Sequence, residues 1–170
     1  MFSNCSNLAI TDSTDGLLSF PLVNAIERGF KSLPIPTSIF AAALDAVLAA
    51  ERNLANAILI GAISVDAALG SYVPFDERIH QIRPHPGQQK VAAIFRNLLN
   101  DSEINRSHAL CDRVQDPYSL RCQPQVLGAC LDQLRHASEV FLREAISVSD
   151  NPLIIPDTGE ILSGGNFHAE

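Results

Sequence analysis

The sequence predicts an all-α protein, a bundle of long helices. Of the 170 residues, 46% are hydrophobic but only 6% are aromatic and none is tryptophan, so aliphatic and alanine side chains must fill the core. Two stretches, beginning near Thr37 and near Pro124, repeat apolar residues at helical spacing. The length fits one domain, yet two such long helices exceed what a compact globule needs, so we expect them to pack against further long helices.

The first long helix is predicted to start with Thr37 or Ser38 as its cap, after two prolines that stop any earlier element. Gly61 predicts a break near its end, with helical pattern resuming over Val65–Leu69 and stopping at Gly70. Its inward positions recur at steps of three or four: Phe40, Leu44, Val47, Leu48, Leu54 and Ile58.

The rest of the chain alternates turn-forming and helical patterns. A loop is predicted from Tyr72 to Glu77 and a turn at Pro84–Gly87. A helix is then expected over about Gln88–Leu99, and a longer one over about Pro124–Val148. Their inward-facing residues are predicted to include Val91, Ile94, Leu98 and Leu99 in the shorter helix and Leu131 in the longer one. Two short apolar runs within Leu153–Leu162 predict a small hairpin.

Residues 1–36 are the least informative part and are treated as an unassigned leader. They are rich in turn-forming residues, with a short helix predicted over Leu17–Phe30. The predicted division is therefore a leader over 1–36 and a partial helical domain over 37–170.

Charge and hydropathy argue against two classes, nucleic-acid-binding proteins and membrane proteins. Lysine and arginine total 12 against 19 acidic residues, a net charge of -7, which argues against a basic nucleic-acid-binding face. The most apolar segment, Ile35–Leu69, contains Asp45, Glu51, Arg52 and Asp66, so we expect a buried helix and no membrane association. The N-terminus shows no secretory pattern, and the expected location is the cytoplasm.

Cysteines and histidines do not predict a metal site. The cysteines have no Cys-x-x-Cys pair, and buried free thiols are the favoured interpretation for Cys5, Cys111, Cys122 and Cys130. His80 and His85 lie five residues apart, a spacing that does not share a helix face, so surface or capping roles are favoured for both.

The polar run Arg113–Gln125 is the strongest candidate for a functional site. Gln115, Tyr118 and Arg121 are three residues apart and would share one side of a helical turn if this segment is helical. Arginine grips carboxylates through two nitrogens, and tyrosine can transfer a proton, so the three suit an anionic substrate. Spacing alone leaves a buried polar network that locks a helix entry equally open.

A glycine-rich run, Ser163-Gly-Gly-Asn-Phe-His, is a weaker candidate. Its paired glycines allow close backbone approach, and the Asn-Phe-His sequel could line a pocket. A turn at a junction of the fold is the more common explanation.

Taken together, these segments resemble the middle of the histidine ammonia-lyases, a branch of the aromatic amino acid lyases. The resemblance is carried, in the right order, by Phe75-Asp-Glu-Arg-Ile-His, Pro86-Gly-Gln, the run from Arg113 to Gly128, Ser149-Asp-Asn-Pro-Leu and Leu162-Ser-Gly-Gly-Asn-Phe-His-Ala-Glu. Lyases for phenylalanine or tyrosine share the Gln-Asp-x-Tyr-x-Leu-Arg core, whereas the Cys-Gln-Pro-Gln sequel and the Asn-Phe-His ending look more like the histidine enzymes.

The resemblance implies a fold, a reaction and roles for four residues. It implies the central helical domain of a homotetramer that converts L-histidine to trans-urocanate and ammonia with a methylidene-imidazolone group. Arg121 would bind the substrate carboxylate, and Tyr118 would act in proton transfer or electrostatics beside the reacting centre. Gln115 and Phe167 would line the pocket.

The chain also departs from the family pattern. The Ala-Ser-Gly tripeptide that forms the prosthetic group does not occur in the 170 residues; the one Ser-Gly pair is preceded by Leu162. The family's Leu-Asn-Gly-Thr is replaced by Leu33-Pro-Ile-Pro, and a tyrosine from upstream and a glutamate from downstream of the matched region are not present. Residues 1–36 do not resemble the family, so we expect an internal fragment behind an unrelated leader, inactive alone. The alternatives are a non-catalytic helical oligomerisation remnant, or a fragment of a phenylalanine or tyrosine lyase.

Overall fold

The computed structural model describes residues 37–108 and 114–168. A short 3-10 helix, Val73–Phe75, accompanies six α-helices and two strands: α1 Thr37–Ala67, α2 Glu77–Gln81, α3 Pro86–Leu99, α4 Glu103–Ser107, α5 Tyr118–Arg121, α6 Gln123–Ile146, β1 Leu153–Ile155 and β2 Glu160–Leu162. The all-α prediction is confirmed for the described residues, with one two-stranded hairpin where the sequence predicted it.

Some sequence predictions lie outside the described part of the chain. These concern the helix over Leu17–Phe30, the thiols of Cys5 and Cys111, and the side chains of Thr37, Ser38 and Phe40.

The predicted break at Gly61 is wrong, because α1 runs without interruption from Thr37 to Ala67. Gly61 is buried, and a β-carbon there would lie 2.6 Å from the side-chain oxygen of Gln123 and 3.1 Å from the ring of Phe95. This glycine therefore permits close packing of other elements against α1. A lone glycine in a helical pattern can permit such packing as well as mark a helix end.

The end of α1 lies a little earlier than predicted, and its capping residue is a leucine. Leu69 has a positive φ of 54°, and the Gly70 amide donates to the Val65 carbonyl at 2.8 Å. The Leu69 amide donates to the Asp66 carbonyl at 3.0 Å. These two bonds form a Schellman motif, which satisfies carbonyls at the helix end.

Two short helices occupy places where the sequence predicted loops or made no assignment. Asp76 caps α2, its side chain accepting from the Arg78 amide at 2.9 Å. Ser102 caps α4 in the same way, accepting from the Asn105 amide at 2.9 Å. Each cap satisfies an amide that lacks an intrahelical partner, which lets helices of five residues form.

The third predicted helix, α3, begins two residues earlier than expected. Pro86 stands in its first turn, where a missing amide hydrogen is not needed. Its buried residues include Val91, Ile94 and Leu99, as predicted, while Leu98 is half-buried. The predicted turn at Pro84–Gly87 is therefore partly helical.

The chain divides into two compact units, whose described residues are 51–108 with 114–133, and 37–50 with 134–168. In the first unit, the rings of Phe75 and Phe95 lie 4.9 Å apart at the centre of the core. The aliphatic side chains buried in this unit come from α1, α3 and α6: Leu54, Ile58, Val65, Val91, Ile94, Leu99 and Leu131. Helical spacing identified most of them in advance.

In the second unit, Leu44 and Val47 form a small buried cluster against Phe141 and Leu142. Helix α6 ends at Ile146, two residues before the predicted end. Beyond it, β1 and β2 pair antiparallel, with Leu153 opposite Leu162. The hairpin prediction is confirmed.

A pair of glycines brings two helices of the first unit into backbone contact. A β-carbon on Gly87, at the start of α3, would overlap the Gly128 carbonyl and lie 2.7 Å from Oδ1 of Asp132. A β-carbon on Gly128, in α6, would overlap the backbone of Gly87 and Gln88. Asp132 completes the contact, accepting from the Gly87 amide at 3.1 Å. Side chains other than hydrogen would keep α3 and α6 apart.

Helix α1 is also long and apolar enough over Ala42–Ala67 to cross a membrane, judged by length and composition. Of the most apolar stretch of this helix, 33% is buried within the structure. Exposed polar residues, among them Arg52, Asn53 and Asn56, lie along the same helix. Buried helices of globular folds pass the same test.

Candidate functional site

Within the described part of the polar segment predicted to form the site, helical structure begins at Tyr118. Pro117 stands at the N-cap of α5, and Tyr118 and Arg121 lie within that single turn. Gln115 is exposed in the irregular stretch that precedes the helix. The helical condition is therefore met at Tyr118 and Arg121 but not at Gln115, because a proline disfavours helical backbone in the residue before it and Pro117 stands at the N-cap.

Tyr118 and Arg121 are in direct contact. The guanidinium carbon of Arg121 lies 4.6 Å from the centre of the Tyr118 ring, a cation–π arrangement. The ring is 72% exposed, whereas Nε of Arg121 is buried and has no hydrogen-bond partner among the described residues. The pair thus presents a cation and a phenol together at an open surface of the first unit.

Asp116 joins the segment before α5 to the chain just beyond α1, a contact that the sequence patterns did not predict. Its carboxylate is buried, and Oδ2 accepts from the Ser71 amide at 2.6 Å, just beyond the end of α1. This bond ties the residue two positions before Tyr118 to a separate part of the fold. No local pattern signals this bond, because Ser71 lies 45 positions away along the chain.

We expect Asp116→Ala to lower the free energy of unfolding by about 1–3 kcal/mol, since the Ser71 amide would lose its acceptor. Urea unfolding followed by circular dichroism measures this change. Asp101→Ala, at an exposed position, serves as the control and should change stability by less than about 0.5 kcal/mol. Equal stability of the two variants would contradict a stabilising role for this bond.

Phe167 belongs to the second unit and is described within it. Its side chain is 57% exposed and lies 4.7 Å from the neighbouring His168 ring. Its grouping with Tyr118, Arg121 and Gln115 in one pocket remains a prediction.

The glycine-rich run is held to the end of α6 and the start of the hairpin by side-chain amides. Asn151 accepts from the Gly164 amide at 2.9 Å, and Asn166 donates to the Val148 carbonyl at 3.4 Å. These bonds fold Ser163–Phe167 back beside the hairpin. A β-carbon at Gly165 would meet open space, so this glycine is not required for close packing.

The surface role expected for His80 is wrong, because its side chain is 1% exposed. Its Nε2 lies 3.0 Å from the Pro74 carbonyl, and Nδ1 lies 3.0 Å from Nε2 of Gln88. A carbonyl can only accept, so Nε2 of His80 carries the hydrogen and Nδ1 accepts from the Gln88 amide. Arg83 donates to Oε1 of Gln88, which orients that amide.

His85, by contrast, is exposed at the N-cap position of α3 and makes no side-chain capping bond. Over residues 37–108 and 114–168, no three His, Cys, Asp or Glu side chains are grouped so that they could hold a metal ion.

The His80 network should make stability depend on pH. Burial lowers the pKa of His80, so the folded state favours the neutral ring while the unfolded chain binds a proton near pH 6.5. The neutral His80 ring therefore contributes its full stabilisation to the folded state above about pH 6.5, the pKa in the unfolded chain. That contribution is lost as the pH falls toward the lower pKa of His80 in the folded state. We expect urea midpoints to decrease between pH 7 and pH 5 and this slope to flatten in His80→Gln. An equal slope in both proteins would contradict the assignment.

The thiol prediction is only partly correct. Cys122 and Cys130 are both free, but Cys122 is half-buried and Cys130 is exposed on α6.

Comparison with known proteins adds to this geometry. A family model described as aromatic amino acid lyase matches residues 37–170. The chain is 59% identical over 150 residues to histidine ammonia-lyases of Burkholderia cenocepacia (strain HI2424) and Burkholderia vietnamiensis (strain G4 / LMG 22486). Those alignments cover 88% of this chain, more than residues 37–170 contain, so they extend into the segment before Thr37.

Solved structures resemble the chain in fold. Phenylalanine aminomutase of Pantoea agglomerans superposes with a TM-score of 0.68 and 27% identity, covering 76% of this chain and 28% of that one. Ergothionase of Treponema denticola, an ergothioneine-degrading enzyme, superposes with a TM-score of 0.66 and 25% identity, covering 76% and 26%. The chain spans 30% of the length of the histidine ammonia-lyases it matches.

Proposed function

The chain belongs to the aromatic amino acid lyase family, and from that premise we propose that it is a segment of a histidine ammonia-lyase. The complete enzyme would remove ammonia from L-histidine without oxidation, giving trans-urocanate, in the cytoplasmic degradation of histidine. The observation that carries the proposal is the 59% identity to histidine ammonia-lyases across most of the chain.

The contribution proposed for this segment is the carboxylate-binding side of the active site. Arg121 supplies a fixed positive charge on the ring of Tyr118 at an open surface, which suits the carboxylate of an amino acid. Tyr118 lies beside that charge, where its hydroxyl can exchange a proton with a bound substrate. Gln115 and Phe167 are proposed to line the same pocket in the complete enzyme.

The family's electrophile, a methylidene-imidazolone group, makes the amine a better leaving group. It forms from an Ala-Ser-Gly tripeptide, and none occurs in this chain. The one Ser-Gly pair follows Leu162, and its Gly164 amide donates to Asn151 within the glycine-rich run. The residues present therefore do not fit the group, and Arg121 and Tyr118 can position a substrate but cannot activate its amine.

We expect the purified 170-residue chain to produce no urocanate from L-histidine, because no residue in it can form the electrophile. The measurement is near-ultraviolet absorbance of urocanate during incubation with L-histidine. An intact Burkholderia cenocepacia histidine ammonia-lyase under the same conditions is the positive control. Turnover above the enzyme-free blank would contradict the expectation.

We propose L-histidine, and not L-phenylalanine or L-tyrosine, as the substrate of the complete enzyme. The support is the identity to histidine ammonia-lyases, which is higher than the 27% to the phenylalanine aminomutase. Residues 37–170 placed in the Burkholderia cenocepacia enzyme should leave it selective for L-histidine. Faster turnover of L-phenylalanine or L-tyrosine by that chimera would favour the alternative lyases.

A second candidate function is a non-catalytic module that oligomerises through its helices. Its partners would be further copies of the chain, as in a homotetramer of the family type, or an intact lyase. Exposed apolar side chains on α1 favour it: Ile60 is 62% exposed and Ile63 is 59% exposed. Size-exclusion chromatography with light scattering tests this candidate. A folded monomer that does not co-purify with an intact lyase would exclude it.

A further inference from the structure

Two buried atoms in the Arg121 region lack hydrogen-bond partners among the described residues of the first unit. One is Nε of Arg121, which can only donate, and the other is Oε1 of Gln125, which can only accept. Buried polar atoms in folded proteins are nearly always paired, because each unpaired one loses its hydration without compensation. The donor and the acceptor are complementary.

The backbone places these two side chains one helical turn apart. The Cys122 amide donates to the Tyr118 carbonyl at 2.9 Å, and the Val126 amide donates to the Cys122 carbonyl at 3.2 Å. These two bonds span the junction at Cys122, whose φ of -97° and ψ of 13° end α5. Arg121 and Gln125 are therefore four residues apart across a compact turn, the spacing at which side chains on a helix are neighbours.

We infer that Gln125 is a positioning residue for Arg121, its Oε1 accepting the hydrogen bond from Nε once the Gln125 side chain rotates. The guanidinium would then be held on two sides, by the Tyr118 ring against its face and by Gln125 at Nε. Arginine has five N–H donors in a fixed plane, and this arrangement leaves the four on the two terminal nitrogens free.

This arrangement determines how Arg121 would meet a carboxylate. Because Nε is buried, a carboxylate arriving from solvent cannot reach it, so binding through Nε and one terminal nitrogen is excluded. The carboxylate must bind end-on, through both terminal nitrogens. This consequence rests on the proposed function, whereas the Arg121–Gln125 bond does not.

The test is the exchange of the Arg121 Nε–H with water, measured by nuclear magnetic resonance on the nitrogen-15-labelled chain. The signal is assigned by its loss in Arg121→Lys. We expect slow exchange in the unmodified chain and acceleration of about tenfold or more in Gln125→Met, which keeps the side-chain length but removes the acceptor. Gln125→Glu retains an acceptor oxygen and should keep exchange slow. Gln133→Met, at an exposed position of α6, is the matched control and should change nothing.

Burial alone would also slow exchange, but Gln125→Met would then leave the rate unchanged, and that result would overturn the inference. If Gln125→Met does not fold, the exchange rate of the Arg121 Nε–H in the unmodified chain tests the inference instead. An Arg121 Nε–H that exchanges as fast as that of exposed Arg52 would overturn the inference equally.

Titration with L-histidine separates this inference from the proposed function. End-on binding should shift the terminal nitrogens of Arg121 and leave Nε nearly unmoved. A large Nε shift that persists in Gln125→Met would overturn the positioning role. If L-histidine shifts no arginine signal, that result counts against the proposed function, and the exchange rates still decide the role of Gln125.

Discussion

Replacing Gly128 with alanine is expected to unfold the first unit or to destabilise it by about 3 kcal/mol or more. The new methyl group would overlap the backbone of Gly87 and Gln88, and backbone cannot move aside as the end of a flexible side chain can. Relief requires that α3 and α6 separate, which would break the bond between the Gly87 amide and Asp132. It would also loosen the core around Val91 and Leu131, both fully buried.

Thermal and urea unfolding of Gly128→Ala, followed by circular dichroism, measure this effect. The matched control is Gly165→Ala, because a β-carbon at Gly165 meets nothing within 4 Å. That variant should unfold like the unmodified chain. A Gly128→Ala protein of unchanged stability would show that the two helices do not approach at this point.

Replacing Arg121 with lysine in a complete enzyme is expected to lower kcat/KM for L-histidine by about 100-fold, chiefly through KM. Lysine keeps the positive charge but loses the planar pair of terminal donors that grips a carboxylate, and it loses the stacked contact with Tyr118. The measurement uses the Burkholderia cenocepacia enzyme with residues 37–170 of this chain in place of its matching segment.

Arg143→Lys in the same chimera is the control. Arg143 is exposed on α6, where its side chain lies 3.6 Å from a carboxylate oxygen of Glu139, so its replacement should leave both constants within about twofold. If Arg121→Lys also changes neither constant, the carboxylate-binding role proposed for Arg121 is wrong.

The sequence by itself determined the helical class, the two long helices and most of the core. Apolar residues at steps of three and four set the buried face of a helix whatever it packs against, so Leu54, Ile58 and Val91 were identifiable without coordinates. The motif from Arg113 to Gln125 likewise identified the candidate site, and Tyr118 and Arg121 do lie in contact.

The tertiary structure alone decided which residues contact Gly61 and whether the His80 side chain is buried. Gly61 looked like a helix end but is a contact point for Gln123, and His80 looked exposed but is buried against Pro74 and Gln88. Local spacing holds no information about which helix arrives at a glycine or which carbonyl meets a ring nitrogen. The Gly61 contact joins two helices, and the His80 bonds reach residues six and eight positions away along the chain. Both follow from three-dimensional packing, where each buried atom must find both space and a partner.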